Sequence, residues 1–133
     1  LGRTGTLTGT DAIVWATTRG AAYTPSPLLH GNRLYVLTDS GMLSNFNAAT
    51  GVPLYQQARL PEPYNFKASP VGANGKIYLA SEDEDVIVVA MGDEFKVLST
   101  NTMTGQSFIA SPVIVGGDIY LRSRTHLFRI SDR

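Results

Sequence analysis

The chain has 133 residues, a length that suits a single compact domain. Lys and Arg number 11 and Asp and Glu number 11, so there is no net positive charge to hold nucleic acid or an anionic membrane surface. The sequence has no cysteine, which excludes disulfides, thiolate zinc sites and a cysteine nucleophile, and no apolar run nears the ~20 residues of a membrane-spanning helix.

The opening residues, Leu1-Gly2-Arg3-Thr4, hold neither an apolar signal core nor an initiator Met, so the chain reads as an internal or processed piece. Further on, Ala12-Ile13-Val14-Trp15-Ala16-Thr17 predicts a strand over about 12–18. It has no partner strand in its own unit. It takes the place of an outer strand belonging to a preceding unit.

From residue 26 the chain repeats. Ser26-Pro27-Leu28-Leu29-His30-Gly31-Asn32-Arg33-Leu34-Tyr35-Val36 aligns without gaps with Ser69-Pro70-Val71-Gly72-Ala73-Asn74-Gly75-Lys76-Ile77-Tyr78-Leu79. Both align with Ser111-Pro112-Val113-Ile114-Val115-Gly116-Gly117-Asp118-Ile119-Tyr120-Leu121. Pro27 and Pro70 are 43 residues apart, Pro70 and Pro112 are 42 apart, and Tyr35, Tyr78 and Tyr120 keep the same spacings.

Each copy carries the same physics. Ser-Pro opens a strand, where the N–H that proline lacks matters least. A short apolar strand leads to Gly31-Asn32, Asn74-Gly75 or Gly116-Gly117, dipeptides that accept the positive φ of type I′ and II′ hairpins. The return strand follows, through Leu34 and Val36, Ile77 and Leu79, or Ile119 and Leu121. Polar turns come next at Asp39-Ser40-Gly41, Glu82-Asp83-Glu84-Asp85 and Arg122-Ser123-Arg124-Thr125. Third strands are predicted at Leu43 to Phe46, Val86 to Ala90 and Leu127 to Ile130, and fourth strands near Val52 to Gln57 and Phe95 to Ser99.

A four-stranded meander of about 40 residues has the size of a propeller blade. No segment keeps a helical apolar period for three turns before Gly or Pro interrupts it. The expected fold is therefore all-β: three four-stranded antiparallel blades of a β-propeller in one segment over 1–133. The blades fall at about 23–60, 66–100 and 108–133, the last without its outer strand. Such an arc is either part of a larger propeller or a ring completed by oligomerisation, because bare blade faces and an open edge need cover.

Within the first blade, Asn45-Phe46-Asn47-Ala48-Ala49-Thr50-Gly51-Val52-Pro53-Leu54-Tyr55 resembles the docking motif Ala-x-Asp-x-x-Thr-Gly-x-x-x-Trp of PQQ-like propellers. Thr50 and Gly51 match, while Asn45, Asn47 and Tyr55 replace Ala, Asp and Trp. The second copy, Val88 to Leu98, lacks Thr-Gly. Trp15 lies 40 residues before Tyr55, in the same role one unit earlier. With the Ser-Pro openings, the resemblance to BamB-like repeat proteins covers the chain from Trp15 onward. It implies bacterial origin and an exported or periplasmic location. Quinoprotein dehydrogenases of this fold hold PQQ with a vicinal Cys pair, a stacking Trp and a Ca²⁺ on Glu, Asn and Asp. This chain has no Cys and a single Trp, so no cofactor is expected.

No residue pattern assigns catalysis, cofactor binding or a metal. The run Glu82-Asp83-Glu84-Asp85 has the carboxylates a hard cation wants, but lacks the spacing of a calcium loop and reads as a solvated turn. His30 and His126 have no paired spacing for a base or metal ligand. Ser26, Ser69 and Ser111 recur once per blade, as structural residues do, and no Gly-x-Ser-x-Gly elbow is present. Met91-Gly92-Asp93-Glu94-Phe95 is similar to a diguanylate cyclase signature, but lies between two strands of a blade. Arg122, Arg124 and Arg129 could meet an anion, and otherwise read as a solvated turn and strand face.

The expected function is a non-catalytic scaffold or protein-binding propeller. Its partners would be other blades, a second copy of the chain or another protein, with no nucleic acid and no membrane span. The alternatives are an enzyme with a site at the channel, whether a metal-assisted hydrolase or lactonase or a quinoprotein-type oxidoreductase, and a module binding carbohydrate or a small ligand on Tyr and Trp faces.

Overall fold

A computed structural model describes residues 2–132. Leu1 and Arg133, the two ends of the sequence as read above, lie outside the described residues. Eleven strands run in chain order: β1 (Leu28–His30), β2 (Arg33–Leu37), β3 (Met42–Asn47), β4 (Pro53–Arg59), β5 (Val71–Ala73), β6 (Lys76–Ala80), β7 (Asp85–Ala90), β8 (Val97–Thr102), β9 (Val113–Val115), β10 (Asp118–Arg122) and β11 (Leu127–Ser131). They form two four-stranded meanders, β1 to β4 and β5 to β8, and a three-stranded one, β9 to β11, all antiparallel. No helix occurs among the described residues.

The expected hairpins form where the turn dipeptides stand. Asn74 and Gly75 both adopt positive φ, 50° and 71°, as a type I′ turn requires. Each Ser-Pro pair immediately precedes its strand, so proline gives up no ladder bond. The register is the same in all three sheets. Tyr35 lies between Leu28 and Asn45, Tyr78 between Val71 and Val88, and Tyr120 between Val113 and Arg129. A residue in one sheet therefore has a defined counterpart in the next.

The fourth strands lie slightly further along than the sequence predicts. In β4 an extra residue bulges opposite Ser44: Gln57 takes φ 54°, and its N–H donates to the buried Ser44 Oγ at 2.9 Å. In the second blade, Phe95 precedes β8 rather than opening it. Its ring instead packs edge-on against Tyr55, with centroids 5.8 Å apart. Residues 12–18 pair with no strand among the described residues.

The core lies between the sheets. One cluster joins Tyr35, Leu37 and Leu43 of the first sheet to Ile77, Leu79, Ile87 and Val89 of the second, with Phe66 from the segment between them. A smaller one joins Ala80 and Val86 of the second to Leu121 of the third, with Phe108 from the segment before β9. Burying each large apolar side chain contributes about 1.5–3 kcal/mol, so stacking against a neighbour is what stabilises each blade.

Candidate functional site

The first strands approach one another, β1 beside β5 and β5 beside β9, and so mark the inner edge of the arc. Along that edge the repeated serines link blade to blade. The N–H of Ser26 donates to Ser69 Oγ at 2.8 Å, and that of Ser69 donates to Ser111 Oγ at 2.9 Å. The hydroxyls of Ser69 and Ser111 thus each receive the preceding blade's backbone.

Three residues before each serine stands an aromatic: Tyr23, Phe66 and Phe108. Phe66 and Phe108 are fully buried between blades, whereas Tyr23 is 96% exposed. In the first two blades the turn between the second and third strands holds the next incoming segment. Phe66 N–H donates to Asp39 O at 2.9 Å, and Phe108 N–H to Ser81 O at 3.0 Å. The Asp39 carboxylate also accepts from the backbone of Tyr23 and Thr24, at 2.8 and 3.1 Å. Hydrogen bonding from Thr24, then from these backbone groups, with Lys67 nearby, holds the Asp39 carboxyl down at about 2.

Further out, Trp15 docks on the first blade. Its indole Nε1–H donates to Ala48 O at 2.9 Å, and its ring stacks on Phe46 with centroids 6.1 Å apart. Asn47 Oδ1 accepts from the N–H groups of Ala49 and Thr50, at 3.0 and 3.1 Å, and so shapes the turn under the ring. A Cβ on Gly51 would lie 2.6 Å from Trp15 Cδ2, so the ring rests where only glycine leaves room.

Tyr55 repeats this role one blade later on different chemistry. The Gly92 loop that receives it is pinned by Asn45 Nδ2 donating to Gly92 O at 2.8 Å and by Gly92 N–H donating to Tyr35 Oη at 3.0 Å. Burial raises the Tyr55 hydroxyl pKa, and that hydroxyl has no hydrogen-bond partner among the described residues. The Met91-to-Phe95 segment is thus the second blade's version of the docking turn. In the second blade Ser99 occupies the register position of Tyr55. There, a cavity of about 240 Å³ opens between Val88, Met103, Ile119 and Ile130.

The other sequence candidates are dispersed. Asp83 accepts from Asn65 N–H at 2.6 Å, Asp85 from Tyr64 Oη–H at 2.7 Å, and Glu84 from Gly105 N–H at 2.7 Å. These carboxylates therefore point to three separate backbone and side-chain partners rather than to one centre. Burial, then the bond to Asp85, pushes the Tyr64 hydroxyl up to about 12. His30 ends β1 in the first sheet. His126 precedes β11 in the third, bonded to Thr125 Oγ1 at 2.8 Å and stacked on Phe128. Arg129 pairs with Asp118, and Arg122 donates to Ser123 O. The residues do not fit PQQ: the chain has no Cys, and its one Trp is committed to Ala48 and Gly51.

Repeated register, inter-sheet cores and a docked aromatic define three blades of a β-propeller. No family model matches the sequence, and no curated protein matches it. Solved structures share the fold. BamB from Moraxella catarrhalis superposes with a TM-score of 0.64 at 17% identity, over 79% of this chain and 32% of that one. A europium-containing methanol dehydrogenase gives 0.64 at 16% identity, over 82% and 22%. The quinohemoprotein alcohol dehydrogenase ADHIIG from Pseudomonas putida HK5 gives 0.63 at 10% identity, over 80% and 17%. The chain spans about a third or less of each of these structures.

Proposed function

We propose that the chain is a non-catalytic, protein-binding propeller module that works through its blade faces. The observation that carries this reading is Leu127, 71% exposed on the third sheet. Its counterparts in the other sheets, Leu43 and Val86, are 0% and 6% exposed because a neighbouring blade covers them. Val113 and Val115 stand on the same face, at 54% and 61% exposure, with Tyr120 and the Arg129–Asp118 ion pair between them and Leu127. An exposed face that sets apolar residues around a polar centre is what a protein partner buries. An exported or periplasmic location belongs to the same proposal, supported by the resemblance to BamB-like propellers.

Metal content and turnover on a panel of esters, lactones and alcohols test this reading against the enzymatic alternative. The scaffold predicts no turnover above background. A reproducible activity abolished by His30→Ala or His126→Ala would overturn it.

A further inference from the structure

The turns between the second and third strands are built alike in the first two blades. The hydroxyls of Thr38 and Ser81 accept the N–H groups of Met42 and Asp85. Gly41 and Glu84 take the positive φ that each turn needs, 80° and 69°. Their carbonyls accept the N–H of the first residue after the blade's fourth strand, Leu60 or Met103. Gly41 and Glu84 are therefore counterparts, and so are Glu62 and Gly105, each two residues after that link.

In the second blade the Glu84 side chain closes over the link, and its Oε1 accepts from Gly105 N–H at 2.7 Å. The first blade has the donors without the acid. Gly41 has no side chain, and a pocket of about 250 Å³ lies between Gly41, Met42, Arg59 and Glu62. Pro61 and Pro63 lack an N–H, so Glu62 supplies the backbone donor of that stretch. Its N–H has no backbone partner among the described residues. Arg59 ends β4 opposite Met42 and makes no ion pair among the described residues. Its counterpart in the second blade is Thr102. One blade thus holds the acid and no arginine, and the other holds an arginine and no acid.

We propose that this pocket binds the carboxylate of a glutamate side chain in a partner peptide. The carboxylate takes the place that Glu84 fills in the second blade, accepting from Glu62 N–H and pairing with the Arg59 guanidinium. Met42, Pro61 and Pro63 supply apolar surface for its methylene arm. Glu62 also brings its own carboxylate to the lining, which opposes the ligand's charge and keeps the site weak. The inference rests on the protein-binding reading and gives it a partner chemistry. Turnover would remove that reading, whereas loss of this site alone would leave it standing.

Titration of the ¹⁵N-labelled full chain with acetyl-Ala-Glu-Ala-amide, followed by amide NMR, tests it. The Glu62 and Gly41 amides are expected to shift and to saturate at roughly millimolar peptide. The same peptide with Gln for Glu should bind about tenfold more weakly, because it brings no charge to the hydrogen bonds. Arg59→Gln should weaken binding about two- to fivefold, and Glu62→Gln should tighten it about twofold. Both side chains are exposed, so the fold survives either change. Amides that stay unmoved by the peptide, equal binding of the Gln peptide, or an Arg59→Gln variant that binds as wild type does would overturn the proposal. Glutarate that shifts the same amides while the peptide leaves them unmoved would overturn it in favour of a small free acid.

Discussion

The backbone of Ser26 is bonded to the hydroxyl of Ser69, 43 residues along the chain, at 2.8 Å, and Ser69 is bonded in the same way to Ser111. Each hydroxyl acts on the blade before its own. Removing one therefore weakens a junction rather than a strand. Ser69→Ala and Ser111→Ala should each destabilise the chain by about 0.5–1.5 kcal/mol. Ser26→Ala, whose hydroxyl receives no such bond among the described residues, should change stability by less than half of that at concentrations where the chain is monomeric. Urea unfolding of the three variants makes the comparison, and equal losses at all three positions would contradict it.

The Trp15–Gly51 contact makes a sharper case. A methyl group at Gly51 would meet the indole ring at 2.6 Å, and φ there is 73°. Gly51→Ala combines overpacking with a left-handed backbone, at a cost of about 2–4 kcal/mol. Trp15 is the only tryptophan, so its fluorescence reports displacement directly. The variant should show red-shifted emission, and the loss should shrink when Trp15→Ala is added, because the clash then has no ring to meet. An unshifted spectrum with unchanged stability would argue against this docking.

Much of this arrangement is legible in the residues. The turn dipeptides and Ser-Pro pairs place the hairpins, and the 40-residue spacing of Trp15 and Tyr55 marks their shared role. What local pattern could not supply is whatever depends on a neighbouring blade. The start of β8 moved because Phe95 has Tyr55 to pack against, and β4 extended through the bulge that Ser44 holds. The serines read as structural, but their partners lie one blade away. The aromatic plugs were missed although a signal existed: Tyr23, Phe66 and Phe108 each stand three residues before a repeated serine.

Asp39 gives the inner turns a pH dependence. Its carboxyl, at about 2 in the folded chain against an ordinary 3.8, is more acidic folded than unfolded. Its contribution is therefore present in full above about pH 4 and is lost as pH falls towards 2. The stability difference between wild type and Asp39→Asn should shrink across that window and stay flat between pH 5 and 7. Urea midpoints at each pH measure it. A difference that holds constant down to pH 2 would show that the carboxylate is not engaged by Tyr23 and Thr24.

The central claim is that blade stacking, repeated along the chain, stabilises the fold. Equilibrium unfolding of Phe66→Ala, Phe108→Ala and Tyr23→Ala, at a concentration where the chain is monomeric, tests it most directly. Phe66→Ala and Phe108→Ala should each cost about 3–5 kcal/mol, enough to lower the midpoint steeply, while Tyr23→Ala should be within about 0.5 kcal/mol of wild type. Comparable losses at all three positions, or none at Phe66 and Phe108, would contradict the account.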